Sequence, residues 1–190
     1  MASYNTSDFK KGLKVQIENE PYLMVDLDFM KPGKGQAVYR VRLKSLTSGR
    51  VVDKSYRSGD SLEAADVEER KMQFLYKDPT GFHFMDNETY EQFQLTPDQV
   101  GDAANYLIDE MEVDVVSWNG SPITVTPPHH VELTVTYTEP GAKGNSTGNV
   151  QKPATTQTGA EIMVPTFINL NDVVRVDTRT GDYIERVSKG

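Results

Sequence analysis

The chain has 190 residues, 25% of them charged, a net charge of −8 and no cysteine. Without cysteine there is no disulfide framework and no thiolate metal or iron–sulfur site, and a reducing, cytoplasmic setting is expected. No stretch reaches the roughly 20 apolar residues that span a bilayer, the first residues carry no apolar signal core, and the acidic balance excludes a uniformly basic nucleic-acid binder.

The elements follow in chain order from period-two alternation of apolar and polar residues, punctuated by Gly, Pro, Asn and Asp. The first third offers strands at 13–17, 22–28, 37–46 and 51–56. Between the second and third lies Lys31-Pro32-Gly33-Lys34-Gly35-Gln36-Ala37. Pro32 fixes one backbone angle, and Gly33 and Gly35 admit angles that other residues avoid, so a tight hairpin with Lys34 at its tip is expected. Such a lysine packs nothing and is either an ordinary solvated charge or a group that reaches outward. In the strand that follows, Tyr39, Val41 and Leu43 share one face, and Arg40, Arg42 and Lys44 share the other. The basic face reads as a solvated strand surface or as a stripe facing phosphates.

The middle third begins with strands at 71–77 and 81–85, joined by the turn Asp78-Pro79-Thr80-Gly81, and a strand at 90–95. One helix follows. Thr96 is placed to cap it, Pro97 suits the first helical position and Gln99 completes a capping box. Val100, Ala103, Ala104, Leu107 and Met111 then recur at helical spacing. Strands at 112–118 and 122–126 flank Asn119-Gly120, a strong hairpin signal. Pro127-Pro128 reads as a stiff boundary. The last third offers strands at 131–138, 159–164, 172–177 and 182–187, with a polar loop over 140–152 and a turn over 177–181.

Three β modules of about 60 residues result: 1–64, 65–128 and 129–190. Each lies near the lower size limit for an independent core. Short strands in this number predict a mainly β protein of three small barrels, an SH3-like or KOW-like barrel followed by two OB-type barrels, the middle one carrying the helix. Charge separates them. Residues 1–63 hold 11 Lys/Arg against 8 Asp/Glu, residues 64–128 hold 3 against 13, and residues 129–190 hold 6 against 7. A molecule basic at one end and acidic in the middle can touch RNA locally while being repelled elsewhere, which favours one orientation.

No constellation for catalysis emerges. The phosphate-loop pattern is absent, and Gly141-Ala142-Lys143-Gly144 is only faintly similar. His83 lies in a strand, and His129 and His130 follow the proline pair with no spacing that completes a metal site. No nucleophile elbow occurs. The carboxylates Asp109, Glu110, Glu112 and Asp114 read as a charged surface. A non-enzyme without metal or cofactor is expected.

Three stretches together resemble the bacterial elongation factor P family over the full length of the chain. The Lys31–Ala37 segment resembles that family's modified-lysine loop. Trp118-Asn119-Gly120 through Val125-Thr126-Pro127-Pro128 is similar to the end of its second domain. Lys152-Pro153-Ala154-Thr155-Thr156-Gln157-Thr158-Gly159-Ala160-Glu161-Ile162-Met163-Val164-Pro165 follows its C-terminal signature, and Asp177-Thr178-Arg179-Thr180-Gly181-Asp182-Tyr183 adds to it. Two positions depart. Asn171 stands where the signature has Gly, and Asn is the residue best able to take a left-handed turn position in its place. Gly144-Asn145-Ser146 stands where relatives commonly have Gly-Asp-Thr, which puts that loop's contact with RNA near the E-site codon in doubt.

The resemblance implies an elongated, L-shaped molecule like tRNA in size. It implies a factor that binds the ribosome between the P and E sites, beside peptidyl-tRNA or initiator tRNA, and relieves stalling at consecutive prolines. Lys34 is implied to be the post-translationally modified residue, extended by a lysine-modifying enzyme through β-lysylation or hydroxylation, with Lys31, Pro32, Gly33, Gly35 and Gln36 as its supporting loop. Candidate tRNA or rRNA contacts are Arg40, Arg42, Lys44, Gly144, Asn145, Ser146, Arg179, Tyr183 and Arg186. A cytoplasmic monomer with no membrane partner is expected. The alternatives are an elongation-factor-P-like paralogue with different specificity, and a free RNA-binding OB-fold protein. Basic residues interleaved with aromatics would mark the latter, whereas Phe82, Phe84 and Tyr90 lie in the acidic module.

Overall fold

The computed structural model describes residues 2–141 and 150–190. The chain divides into two compact units, one of Met1–Arg70 with Val115–Thr124 and one of Lys71–Asp114 with Val125–Gly190. Strands dominate both.

The first sheet holds β1 (Ser3–Asn5), β2 (Lys14–Ile17), β3 (Glu20–Met30), β4 (Val38–Ser45), β5 (Val51–Arg57) and β6 (Ser61–Ala64) in the order β1-β6-β2-β3-β4-β5. The alternation read from β4 is realised. Val41 and Leu43 are fully buried, and they close a core with Phe9, Leu13, Val15 and Met24. Strand β3 is longer than the sequence reading, running on through Phe29 and Met30. Strands β1 and β6 pair with each other and had no alternating apolar signal.

The second sheet orders β7 (Val67–Asp78), β8 (Gly81–Asp86), β9 (Gln92–Leu95), β10 (Glu112–Trp118) and β11 (Ser121–Thr126) as β11-β10-β7-β8-β9. Phe74, Phe82 and Phe84 are buried, and the Phe74 ring lies 5.3 Å from that of Phe84. Gly81 takes a φ of +147°, and a Cβ there would meet the Leu95 carbonyl at 2.5 Å, so the β7–β8 turn requires glycine. Asn119 and Gly120 both have positive φ, as the hairpin reading anticipates.

The helix is shorter than its periodicity suggests. The capping box forms: the Gln99 N–H donates to Thr96 Oγ1 at 3.2 Å and the Thr96 N–H to Gln99 Oε1 at 2.9 Å. Helix α1, however, spans only Pro97–Val100. Gly101 adopts φ 57° and ψ −138°, which leaves the helical region, and a 3₁₀ turn takes over from Gly101–Tyr106. Of the apolar residues that followed at helical spacing, Met111 packs against the core of the third sheet, together with Tyr106 and Ile108, which were not part of that spacing.

That sheet contains β12 (His130–Thr138), β13 (Gln151–Thr156), β14 (Glu161–Pro165), β15 (Val173–Asp177) and β16 (Asp182–Ser188) in the order β14-β13-β12-β15-β16. Leu133, Val135, Val164, Ile168, Val174 and Val176 are fully buried at its centre. Strand β13 begins inside the stretch read as a loop, because Pro153 counts against a central strand. Asn171 has φ +70°, the left-handed turn conformation anticipated for it.

Candidate functional site

The site is built outward from the β3–β4 ladder. Its last rungs pair Asp28 with Arg40, Phe29 with Tyr39, and Met30 with Val38. Beyond them the chain runs free for seven residues, with a bend centred on Lys34. The loop is therefore wider than the tight hairpin expected from the Pro-Gly pattern, since two to five residues are usual for a hairpin. Its far end is tied down where the Ser58 N–H donates to the Ala37 carbonyl at 3.0 Å.

Residues 31–36 are all exposed. Only Gly35 has a positive φ, +117°; Gly33 does not, so the conformational need for glycine falls on Gly35 alone. A Cβ at either position would meet nothing within 4 Å. Among the described residues Lys31 and Lys34 have no ion-pair partner. The arrangement is an exposed primary amine in the middle of an open loop.

Arg40, Arg42 and Lys44 are exposed together on the outer face of β4, but they are not equivalent. Arg42 Nε donates to Asp53 Oδ1 at 3.0 Å, and this hydrogen bond raises the guanidinium pKa further. Asp26 lies directly across from Arg42 and Asp28 across from Arg40. The stripe is thus interleaved with carboxylates. Arg40 and Lys44 have no ion-pair partner among the described residues, so they are the two freest charges on it.

The C-terminal candidates belong to the second unit. Arg179 sits in the β15–β16 turn and clamps Asp177, with Nε donating to Oδ1 at 3.1 Å and Nη2 to Oδ2 at 2.9 Å. The Arg179 guanidinium hydrogen bonds hold the Asp177 carboxyl at about 2. Arg186 lies 3.6 Å from Asp172 and 5.1 Å above the Phe167 ring. Tyr183 packs against the third sheet's core, and burial raises its hydroxyl pKa. Each of the three thus has an internal partner. Gly144, Asn145 and Ser146 lie outside the described residues.

The sequence reading passed over Asp172, a buried carboxylate that anchors the chain's last strand. Its Oδ2 accepts the Asn169 N–H and its Oδ1 the Gly190 N–H, each at 2.9 Å. Burial pushes its pKa up, but these N–H groups and Arg186 outweigh burial and hold it below the ordinary value. Nothing in a lone Asp after a turn announces this. Phe29, 54% exposed, was also missed, because the expected strand stopped one residue before it.

A β-built chain with a basic, outward-reaching loop defines a class that the solved structures name. The chain is similar to eukaryotic translation initiation factor 5A from Methanococcus jannaschii at 25% identity and a TM-score of 0.56, covering 66% of this chain and 92% of that one. A translation initiation factor eIF-5A family protein from Naegleria fowleri shares the fold at 18% identity and a TM-score of 0.50, over 66% of this chain and 95% of that one. The class is that of translation factors, not of enzymes. Family models narrow it further: the elongation factor P KOW-like domain matches residues 5–62, the elongation factor P OB domain matches 67–125, and the elongation factor P C-terminal model matches 131–186. The chain belongs to the elongation factor P family.

Proposed function

We propose that this protein binds the ribosome between the P and E sites, beside peptidyl-tRNA or initiator tRNA, and promotes peptide-bond formation where consecutive prolines stall synthesis. The observation that carries the reading is Lys34, exposed at the centre of an open loop with no ion-pair partner among the described residues. Proline's ring constrains its own backbone and a polyproline chain is stiff, so the reacting groups meet in poor geometry. A factor that fixes the tRNA end and nascent chain lowers the barrier by orientation, without acid–base groups of its own.

In this reading an enzyme modifies Lys34: a β-lysyl group carries the terminal amine further toward the tRNA's CCA end, whereas hydroxylation would add a hydroxyl without lengthening the side chain. Arginine would not serve, because its guanidinium is a different nucleophile. Residues 1–64 act as the domain that carries the loop, 65–128 as an acidic domain that discourages misorientation, and 129–190 as a third domain whose turn residues face RNA. The protein acts as a cytoplasmic monomer.

The test is Lys34→Ala. The intact mass of the native protein, with the loop peptide sequenced, should show added mass on Lys34. The variant should lose rescue of proline-run synthesis while unfolding within about 0.5 kcal/mol of wild type, as expected for an exposed residue that packs against nothing. Full rescue by the variant, or a large loss of stability, would remove Lys34 from the mechanism.

A further inference from the structure

The lysine loop rises from an aromatic ladder whose outermost ring is left in solvent. Phe9 is 6% exposed and rooted in the first core. Its ring lies edge-on to Tyr56 at 5.7 Å and to Tyr39 at 6.0 Å. Tyr39 in turn lies 5.0 Å from Phe29, its direct partner across the β3–β4 ladder. Four rings thus lead from the interior to the base of the loop, and the last is 54% exposed. Phe29 is held in place by its ladder pairing and by Tyr39 behind it, yet it contributes little to the core.

The charge around this ring is one-sided. Residues 29–39 contain Lys31 and Lys34 and no Asp or Glu, in a chain whose net charge is −8. Arg40 and Arg57 belong to the other face of the sheet, since Arg40 pairs with Asp28 and Arg57 with Val38, one rung away from the Phe29–Tyr39–Tyr56 rung. An exposed, rigidly backed aromatic ring among unopposed cations is the combination that holds unpaired nucleotides: bases stack on the ring and phosphates meet the lysines. The neighbouring Asp28 pairs with Arg40 on the opposite face of the sheet.

We propose that Phe29 is a stacking platform for one unpaired RNA base, with Lys31 as the cation for a flanking phosphate. This makes Phe29 a positioning residue: the base it captures lies at the foot of the loop, and the five Cα–Cα steps from it to Lys34 span at most about 17 Å. The inference deepens the reading of the loop as a tRNA-facing element and rests on it for the identity of the RNA, but not for the stacking itself. A solvent-facing apolar side chain on its own would be unremarkable. What selects nucleic acid here is the coincidence of the backed ring with a loop that carries two lysines and no carboxylate.

The experiment uses full-length protein and a short single-stranded RNA bearing 2-aminopurine, whose fluorescence is quenched on stacking. Wild type should quench it with a dissociation constant no weaker than about 0.1 mM at low salt, in the range of non-specific electrostatic binding. Phe29→Ala should bind about 5- to 150-fold more weakly, the usual loss for one base–aromatic stack, and lose the quenching. Phe29→Trp should restore both. Lys34→Ala should keep the quenching, because the platform does not include the loop crest. Thermal unfolding of each variant separates folding from binding. Absence of quenching by wild type, or quenching undiminished in Phe29→Ala, overturns the platform. So does a selective loss of recognition by the modifying enzyme with RNA binding unchanged, since Phe29 would then face a protein. Quenching that depends on Phe29 in a protein that fails to rescue proline runs would leave the platform standing and overturn the function assigned to Lys34.

Discussion

Replacing Gly35 by alanine should damage the lysine loop, and replacing Gly33 should not. Both glycines stand in open space, so neither substitution creates a clash. The difference is conformational. Gly35 has φ +117° and Gly33 has no positive φ, and a non-glycine residue held at such an angle costs about 1–3 kcal/mol. Because the loop is exposed and packs against nothing, the molecule avoids that cost by refolding the loop instead of destabilising the sheet. A penalty of one to two kcal/mol reduces the population of the native loop by a factor of roughly 5–30. The rate of proline–proline bond formation at limiting factor concentration should fall by about that factor for Gly35→Ala, and by less than twofold for Gly33→Ala. The denaturation midpoint should stay near wild type for both. A D-alanine introduced at position 35 by semisynthesis favours positive φ and should recover most of the lost rate. Equal effects at the two positions, or no recovery with D-alanine, would show that flexibility or side-chain bulk, not the angle at Gly35, governs the presentation of Lys34.

Two further outcomes are expected. Neutralising Arg40 and Lys44 together should lower the salt dependence of ribosome binding by one to two phosphate equivalents, about 0.7–0.9 in slope each, whereas Arg42→Gln should change it less, because Arg42 is already bonded to Asp53; a larger effect from Arg42 alone would mean that the Asp53 pair opens on binding. Asp78 is held at about 2, first by the Thr80 hydroxyl and then by His83, so its folded pKa lies below the unfolded one. Its contribution to stability is present above roughly pH 4 and is lost as pH falls toward 2. Asp78→Asn should flatten the acid-unfolding curve in that window, and an unchanged curve would show that the β7–β8 turn contributes nothing to acid sensitivity.

Legibility in the sequence followed the physics of each element. Strands such as β4, whose two faces meet core and solvent, declare themselves by alternation, and β10 coincides with its expected bounds because an Asn-Gly hairpin fixes its end. Strands β1 and β6 are three and four residues long, too short and too polar for a period to register. Helix α1 has the expected cap but not the expected length: Gly101 leaves the helical region and ends it, and Met111, the last residue of the apparent period, packs against the third sheet instead. At the candidate site, the exposure of Lys34 was legible in the sequence, because a lysine between two glycines after a proline belongs to an open turn. The geometry was not. The open seven-residue loop, the unequal glycines and the pairing of Arg42 with Asp53 arise from register, which brings residues 11 apart into contact.

Register also decides how a net-acidic protein can approach RNA. On the outer face of β3, β4 and β5, Arg42 is matched by Asp26 on one side and Asp53 on the other, so this part of the stripe carries little unopposed charge. Toward the loop the carboxylates stop: residues 29–39 contain no Asp or Glu, while Lys31 and Lys34 lie there. Exposed charges more than about 8 Å apart are largely screened from one another at physiological salt. The charges nearest the loop therefore matter most at contact. On the proposed reading, the first domain meets RNA at the loop end of its sheet, which presents the only lysine flanked by glycines on both sides. A generally basic protein would bind RNA in many orientations and present that lysine in few of them. On the same reading, unopposed lysines at the foot and crest of the loop couple the bound orientation to the position of Lys34.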